Sequence, residues 1–174
     1  MDTIDRMQTF VTLMMDHIPT KFYDWLKSNG FFVLPASINH HGNYEGGLFD
    51  HSLAVATELQ RMTKANKLTW ENPRSPLIVG MFHDLCKSDQ YSFDCHGGYE
   101  YDATTLFPGH GETSVMLLAQ NMQLTPEEVV CIRWHMGAFD DKSNWDYYSR
   151  AVKVYPNVLW THTADMVASQ VQGV

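Results

Sequence analysis

Apolar residues recur near the start of the chain at intervals of three and four, the spacing that places side chains on one face of an α-helix. A first helix is predicted behind a possible Asp2 cap, and a second behind Thr20, ending at Asn29 and Gly30. We therefore expect two N-terminal helices within residues 2–29 that pack on the rest of the protein. The apolar positions that define the first are Ile4, Met7, Val11, Met14 and Met15.

The remainder of the chain carries the same helical spacing, interrupted by loop residues. Glycine, proline and asparagine crowd residues 34–47, which indicates a loop, and aromatic residues on either side of Gly97 and Gly98 predict one short β-hairpin. Asp50 is a candidate cap for the next helix. Further helices are predicted at residues 51–64, 75–85, 112–120, 125–135, 145–154 and 158–171. The expected fold is all-α: a bundle of seven or eight helices with one short hairpin.

Size and charge narrow the range of functions. The 174 residues fit one domain spanning residues 1–174. Twelve basic residues against 20 acidic ones give a formal charge of −8, which disfavours binding to duplex nucleic acid, because such binding rests on neutralising many phosphates. No apolar stretch approaches the length of a membrane span. A small-molecule ligand is expected instead of a duplex or a membrane.

The three cysteines, Cys86, Cys95 and Cys131, form no C-x-x-C pair and are odd in number. This pattern is typical of reduced thiols in a cytoplasmic protein, and we interpret them as small core or loop residues. No oligomeric state is indicated by the sequence.

Histidines and aspartates supply the candidate chemistry. His83 and Asp84 are adjacent at the end of an apolar segment, and an imidazole beside a carboxylate is a suitable pair of ligands for a divalent metal. The carboxylate has two oxygens and can bridge two ions. Other candidate ligands lie on both sides, each separated from the next by about one helix and a connection, so that each can come from its own helix. They are His51, His110, His135 and Asp165.

The local sequences around these residues resemble those of the HD-domain metal-dependent phosphohydrolase superfamily. The run from Gly46 to His51 resembles its GGL-x-x-H motif, the run from His83 to Lys87 its HD-[IL]-x-K motif, and Asp165 lies in a segment similar to AD-x-x-A. His110 and His135 look like the two additional histidines of the binuclear branch. The resemblance extends over residues 35–170, the motif-bearing core of the domain.

This resemblance implies a helical HD-domain bundle and a division of labour among the ligands. His51, His83, Asp84 and Asp165 would hold one metal, and Asp84 would bridge to a second metal held by His110 and His135. Imidazole and carboxylate ligands with open positions suit Fe, Mn, Co, Ni or Zn better than Mg or Ca. Two divalent transition metals per chain are expected, with hydroxide generated on them as the nucleophile.

Residues outside the ligand set are candidates for the substrate. Lys87 follows the His-Asp pair closely enough to offer its ammonium to a substrate phosphate, so that Asp84 and Lys87 are the expected catalytic residues. His41, Arg133 and His162 are candidate substrate contacts. Each also has a structural interpretation, as an exposed loop residue, a surface arginine and a packed histidine respectively. Glu112 could orient a metal ligand, assist proton transfer or stabilise a helix N-terminus.

The expected function is hydrolysis of a phosphoester in a nucleotide or another small phosphorylated metabolite. Three alternatives stay open on the ligand types alone. The first is a mixed-valent di-iron oxygenase on the same fold, and the second is a non-catalytic nucleotide-binding or regulatory module. The third is a 3′ exonuclease on short single strands, which the acidic charge of the chain disfavours.

Overall fold

The structure is a computed structural model that describes residues 1–102, 104–107 and 109–174. Over those residues it is predominantly helical with one antiparallel hairpin, so the all-α fold class predicted from the sequence is confirmed. The longer helices are α1 (Thr3–Met14), α2 (Thr20–Ser28), α3 (Gly47–Asn66), α4 (Ser75–Phe82), α6 (His110–Ala119), α7 (Pro126–Arg133), α8 (Trp145–Val154) and α9 (Asn157–Met166). A four-residue helix, α5 (Lys87–Gln90), precedes the strands β1 (Tyr91–Phe93) and β2 (Tyr99–Tyr101).

Helix α1 buries only part of the face that its apolar spacing predicts: Met14 is buried and Met7 packs against the core. Ile4 and Val11 are exposed, whereas Arg6 and Phe10 are buried. Arg6 is buried because its guanidinium donates two hydrogen bonds to the Asp50 carboxylate, at 3.0 and 2.9 Å. This paired geometry satisfies the buried charge and fixes α1 against the start of α3.

Aromatic side chains form the part of the core that joins the N-terminal helices to the remainder of the fold. Phe10 lies at the centre, with ring centroids 5.3–6.4 Å from those of its neighbours in stacked and edge-on arrangements. Such pairs contribute beyond the burial of their area. The fully buried phenylalanines of this cluster are Phe10, Phe22, Phe31, Phe32, Phe49 and Phe82.

Helix α3 begins at Gly47, four residues before the predicted start at His51. Gly46 precedes it with φ +79°, a left-handed conformation that glycine adopts without strain. Asp50 is therefore not the cap. It lies in the first turn, where it pairs with Arg6 and faces the positive end of the helix dipole.

Helix α4 packs directly on α3. All of its residues are buried, and a Cβ at Gly80 would lie less than 3.0 Å from the backbone of Ala56 in α3. The absence of a side chain at Gly80 thus permits the close approach of the two helices. The helix ends at Phe82, three residues before the predicted end, and His83 and Asp84 lie in the turn that follows.

The C-terminal half is assembled from α6, α7, α8 and α9. The predicted cap of α7 is present as a full capping box, in which Thr125 and Glu128 each accept a hydrogen bond from the other's backbone N–H. The continuous last helix predicted over residues 158–171 is instead α9 followed by a π-helical segment, Val167–Gln172. Within the described residues, no helix has both the length and the apolar character required to cross a membrane.

Candidate metal centre

Four of the predicted ligands converge from two helices and one turn. His51 lies in α3, His83 and Asp84 in the turn after α4, and Asp165 in α9. The Nε2 atom of His51 is 3.1 Å from Nε2 of His83 and 3.3 Å from Oδ1 of Asp165. Oδ1 of Asp165 is 3.9 Å from Nε2 of His83. These side chains therefore enclose one point with imidazole nitrogens and carboxylate oxygens.

Asp84 presents its two oxygens to different neighbours. Its Oδ2 atom is 3.9 Å from Nε2 of His83, whereas its Oδ1 atom is 3.4 Å from Nε2 of His135. His135 follows the end of α7 and is fully buried. The Asp84 carboxylate thus lies between His83 and His135, as a bridging ligand would. The ligand atom of His135 also lies within 4.8 Å of those of His83 and Asp165.

A second group of candidate ligands contains Asp84, His110, which is the first residue of α6, and a residue that was not among the predicted ligands. The Sγ atom of Cys86 is 3.4 Å from Nδ1 of His110 and 4.0 Å from Oδ1 of Asp84. Asp84, Cys86 and His110 offer ligand atoms that all lie within 4.8 Å of one another. The interpretation of Cys86 as a core or loop residue therefore omitted its place beside these ligands.

Hydrogen bonds to backbone oxygens determine that Nδ1 carries a hydrogen in three of the histidines. Nδ1 of His51 donates to the oxygen of Val174 at 2.9 Å, Nδ1 of His83 to that of Gly80 at 2.8 Å, and Nδ1 of His135 to that of Ile132 at 2.8 Å. A carbonyl oxygen can only accept, so Nδ1 carries the hydrogen in each ring. In the neutral ring, the Nε2 lone pair then points into the centre, as in metal-ligating histidines.

This arrangement fits a bound cation. Nε2 of His51 and Nε2 of His83 face each other at 3.1 Å, and Nε2 of His135 is buried 3.4 Å from Oδ1 of Asp84 without forming a hydrogen bond. When both rings of the His51–His83 pair are neutral, their lone pairs repel each other, and either a proton or a metal ion between them relieves the repulsion. Ligand bonds of ordinary length place neighbouring donor atoms about 3.0–3.5 Å apart at angles between right-angled and tetrahedral. The contacts between His51 and His83, His51 and Asp165, and His135 and Asp84 all fall in that range.

The pKa values place most of these groups in the form that a metal requires. Burial lowers the pKa of His83 to about 4, so that it is neutral near pH 7. Burial would raise the pKa of both carboxyl groups. At Asp84, the nearby Lys87 ammonium opposes the effect of burial, and the pKa lies well below its usual value. At Asp165, the hydrogen bond from His51 opposes the effect of burial, and the pKa falls to about 2.

His51 and His135 differ from His83 in their pKa. Burial would lower both values, but Asp165 beside His51 and Asp84 beside His135 raise them above the ordinary value. Each therefore tends to hold a proton on the nitrogen that would bind a metal. Metal binding at this centre must displace these protons, which makes the affinity dependent on pH.

A cavity of about 760 Å³ opens onto the ligands. Lys87 reaches it from α5 and is itself buried, and its ammonium donates to the hydroxyl of Tyr91 at 3.2 Å. Burial would lower the pKa of Lys87, but the Asp84 carboxylate raises it, so the side chain is cationic. The residues that line the cavity include His40, His41, Asp84, Lys87, Tyr91, Tyr101, His110, Met136, Phe139 and Asp165.

The predicted substrate contacts are placed unequally around this cavity. His41 lines it, with its ring centroid 4.8 Å from that of His51. Arg133 lies outside it, because its guanidinium pairs with Glu112 and Asp140 and lies over the ring of Trp134. Glu112 is thus engaged in an ion pair with Arg133.

His162 is likewise not among the residues that line the cavity. Its Nδ1 atom donates to the backbone oxygen of His135 at 2.8 Å, and its ring packs near Phe139. This contact supports the turn that carries His135. The placement matches the packed interpretation of His162 more closely than a direct substrate contact.

Two residues beside the candidate centre were missed in the sequence because their signals are weak. Tyr91 begins a three-residue strand, and nothing in its local sequence indicates that the hydroxyl meets Lys87. Cys86 lies two residues beyond Asp84, and that short spacing was the one available signal for its place beside the ligands.

Comparisons with known proteins identify no relative: no protein-family model, no curated protein sequence and no solved structure matches this chain.

Proposed function

We propose that this protein is a metal-dependent phosphohydrolase of the HD-domain type, acting on a nucleotide or another small phosphorylated metabolite. The observation that carries the proposal is the buried pair of imidazoles from His51 and His83. Their Nε2 atoms face each other at 3.1 Å between two carboxylates, while their Nδ1 atoms are held by backbone oxygens. A divalent cation between these donor atoms would take the place of the proton that His51 tends to hold there, and it would neutralise the carboxylates.

The two sides of Asp84 define two candidate metal positions. His51, His83 and Asp165 would hold one ion with Oδ2 of Asp84, and His110 and His135 would hold the other with Oδ1. A divalent metal bound here would lower the pKa of a coordinated water and polarise phosphoryl oxygens for in-line displacement. The chain itself supplies imidazoles, ionised carboxylates and a route from solvent through the cavity, and the imidazoles of His51 and His135 would lose their protons as the metal binds.

Lys87 and Tyr91 supply the phosphate contacts. The buried ammonium uses one of its three hydrogens on the Tyr91 hydroxyl, and both groups line the cavity beside Asp84. An ammonium in a site of low dielectric binds a phosphate oxygen strongly. It also stabilises negative charge that develops on the leaving group or on the phosphoryl oxygens.

The dimensions of the cavity agree with a small substrate. Its volume of about 760 Å³ is within the range of pockets for small ligands. Tyr101 and Phe139 are exposed aromatic residues among its walls and could pack against a planar base. The acidic charge of the chain favours such a substrate over a long nucleic acid.

A direct test is a screen of the purified protein with Mn²⁺, Co²⁺, Ni²⁺, Fe²⁺ or Zn²⁺ against nucleotides and model phosphodiesters. We expect metal-dependent release of product that is abolished in Asp84→Asn and retained in Asp89→Asn, which changes an exposed aspartate nearby. Inactivity with every metal and substrate, or full activity of Asp84→Asn, would contradict the proposal. Iron-dependent consumption of O₂ in place of product release would favour the oxygenase.

A further inference from the structure

Cys86 is positioned as a ligand and not merely as a packed thiol. Its side chain is fully buried in the turn that carries Asp84, and Sγ lies 3.4 Å from Nδ1 of His110. The nearest oxygen of Asp84 to that thiol is Oδ1, at 4.0 Å. The same Oδ1 atom is the one that faces Nε2 of His135, at 3.4 Å.

The local structure holds this thiol in place. The backbone N–H of Cys86 donates to Oγ of Ser114 at 3.0 Å, and Ser114 is a fully buried residue of α6. His110 begins the same helix, so one hydrogen bond ties the turn to the helix that carries the histidine. Gly111 permits this helix to approach α7, because a Cβ there would lie less than 3.0 Å from the backbone of Arg133.

A second observation points to an ion at the same place. Nε2 of His135 is buried and forms no hydrogen bond, although Oδ1 of Asp84 lies 3.4 Å away; once the ring is neutral, the lone pair of this nitrogen is available to an ion. Sulfur and nitrogen ligands of a tetrahedral zinc ion lie about 3.5 Å apart, as calculated from the usual bond lengths. The observed distance of 3.4 Å between Cys86 and His110 agrees with that separation.

We propose that the Cys86 thiolate is a ligand of the second metal position, together with His110, His135 and Oδ1 of Asp84. The proposal rests on the metal centre of the proposed function. Binding forms a metal–sulfur bond and releases the thiol proton to solvent. Because thiolate is a soft ligand, this position would take Zn²⁺, Co²⁺ or Fe²⁺ in preference to Mn²⁺ or Mg²⁺.

The alternative is that Cys86 only donates an S–H hydrogen bond to His110 and orients its ring. Two substitutions separate these roles. Cys86→Ser keeps a hydroxyl that can donate to His110 but removes the thiolate, whereas Cys86→Ala removes both. If the thiol is a ligand, both variants lose the second metal; if it only orients the ring, Cys86→Ser retains it.

The experiment is titration of metal-free, reduced protein with Co²⁺, following the thiolate-to-cobalt charge-transfer absorption and the number of cobalt ions bound per chain. We expect the wild type to show this absorption as the second ion binds. Cys86→Ser and Cys86→Ala should lose both the absorption and the second ion, while Cys95→Ser, which changes an exposed cysteine, should retain them. Melting followed by circular dichroism would establish that each variant is folded.

Several results would overturn the inference. Binding of cobalt without charge-transfer absorption in the wild type would exclude a sulfur ligand and would leave the proposed function intact, even if a variant failed to fold. Persistence of the absorption and of the second ion in Cys86→Ser would have the same meaning. Failure of the wild type to bind any cobalt would instead contradict the proposed function itself.

Discussion

Lys87→Met tests the assignment of the buried ammonium to the substrate phosphate. The substitution keeps an unbranched chain of similar length but removes the charge. In the structure the ammonium is cationic, lies at the cavity wall and has hydrogens to spare beyond its bond to Tyr91. Loss of a hydrogen bond to a charged group costs about 1.5–3 kcal/mol, which corresponds to a decrease of about 10- to 150-fold in kcat/KM.

The same substitution should not weaken the binding of the metal. Lys87 repels a cation bound beside Asp84, so its removal should leave metal affinity unchanged or increased. Activity should therefore be compared at saturating metal, with bound metal measured for each variant. Lys21→Met, which removes an exposed lysine from α2, is the matched control and should retain wild-type kcat/KM.

Two results would refute this reasoning. If Lys87→Met retains wild-type kcat/KM at metal saturation, the ammonium does not contact the phosphate in the transition state. If the activity falls only in proportion to lost metal, Lys87 acts through the ligands and not on the substrate. Tyr91→Phe should give a smaller decrease, because it leaves the charge in place.

Three further predictions concern the packing of the helices around the centre and the pH dependence of metal binding. Arg6→Met should lower the free energy of unfolding by about 3 kcal/mol and Tm by roughly 6–12 °C, since it leaves Asp50 without its partner; an equal loss in exposed Gln8→Met would contradict this. Gly80→Ala should cost about 2–3 kcal/mol in urea unfolding and weaken metal binding, because its Cβ would push α3 from α4; wild-type values for both would refute the packing argument. Metal affinity should rise as the pH increases above about 6.5, the ordinary pKa of histidine, because the pKa of His51 is raised above that value and its proton must leave; calorimetric affinities that are flat or falling with pH would contradict it.

The helical framework could be predicted because it depends on local patterns. The bounds of α8, Trp145–Val154, coincide with the predicted helix, and the Thr125 cap is present. The buried face of α1 could be predicted only in part, because it is also decided by the pairing of Arg6 with Asp50, far along the chain. Apolar spacing alone favoured the face that contains Ile4, which is exposed.

In the candidate centre, too, the local motifs could be predicted and the long-range contacts could not. The sequence motifs brought His51, His83, Asp84 and Asp165 together as expected ligands. The structure groups His51 and His83 with Asp84, and it places Asp165 beside both histidines. The surroundings of the group depend on long-range packing. Its hydrogen-bond acceptors are backbone oxygens, which leave no trace in residue identity, and the ion pairs of Arg133 with Glu112 and Asp140 join residues from separate elements.

The central claim is that the buried histidines and carboxylates form a metal centre with two positions. The most direct test is elemental analysis of the protein, purified without chelators and then equilibrated with each candidate metal, expressed as metal per chain. We predict about two ions per chain for the wild type, with most of the metal lost in Asp84→Ala because that carboxylate is shared by both positions. A wild-type protein that binds no divalent transition metal, or an Asp84→Ala variant that retains both ions, would contradict the account.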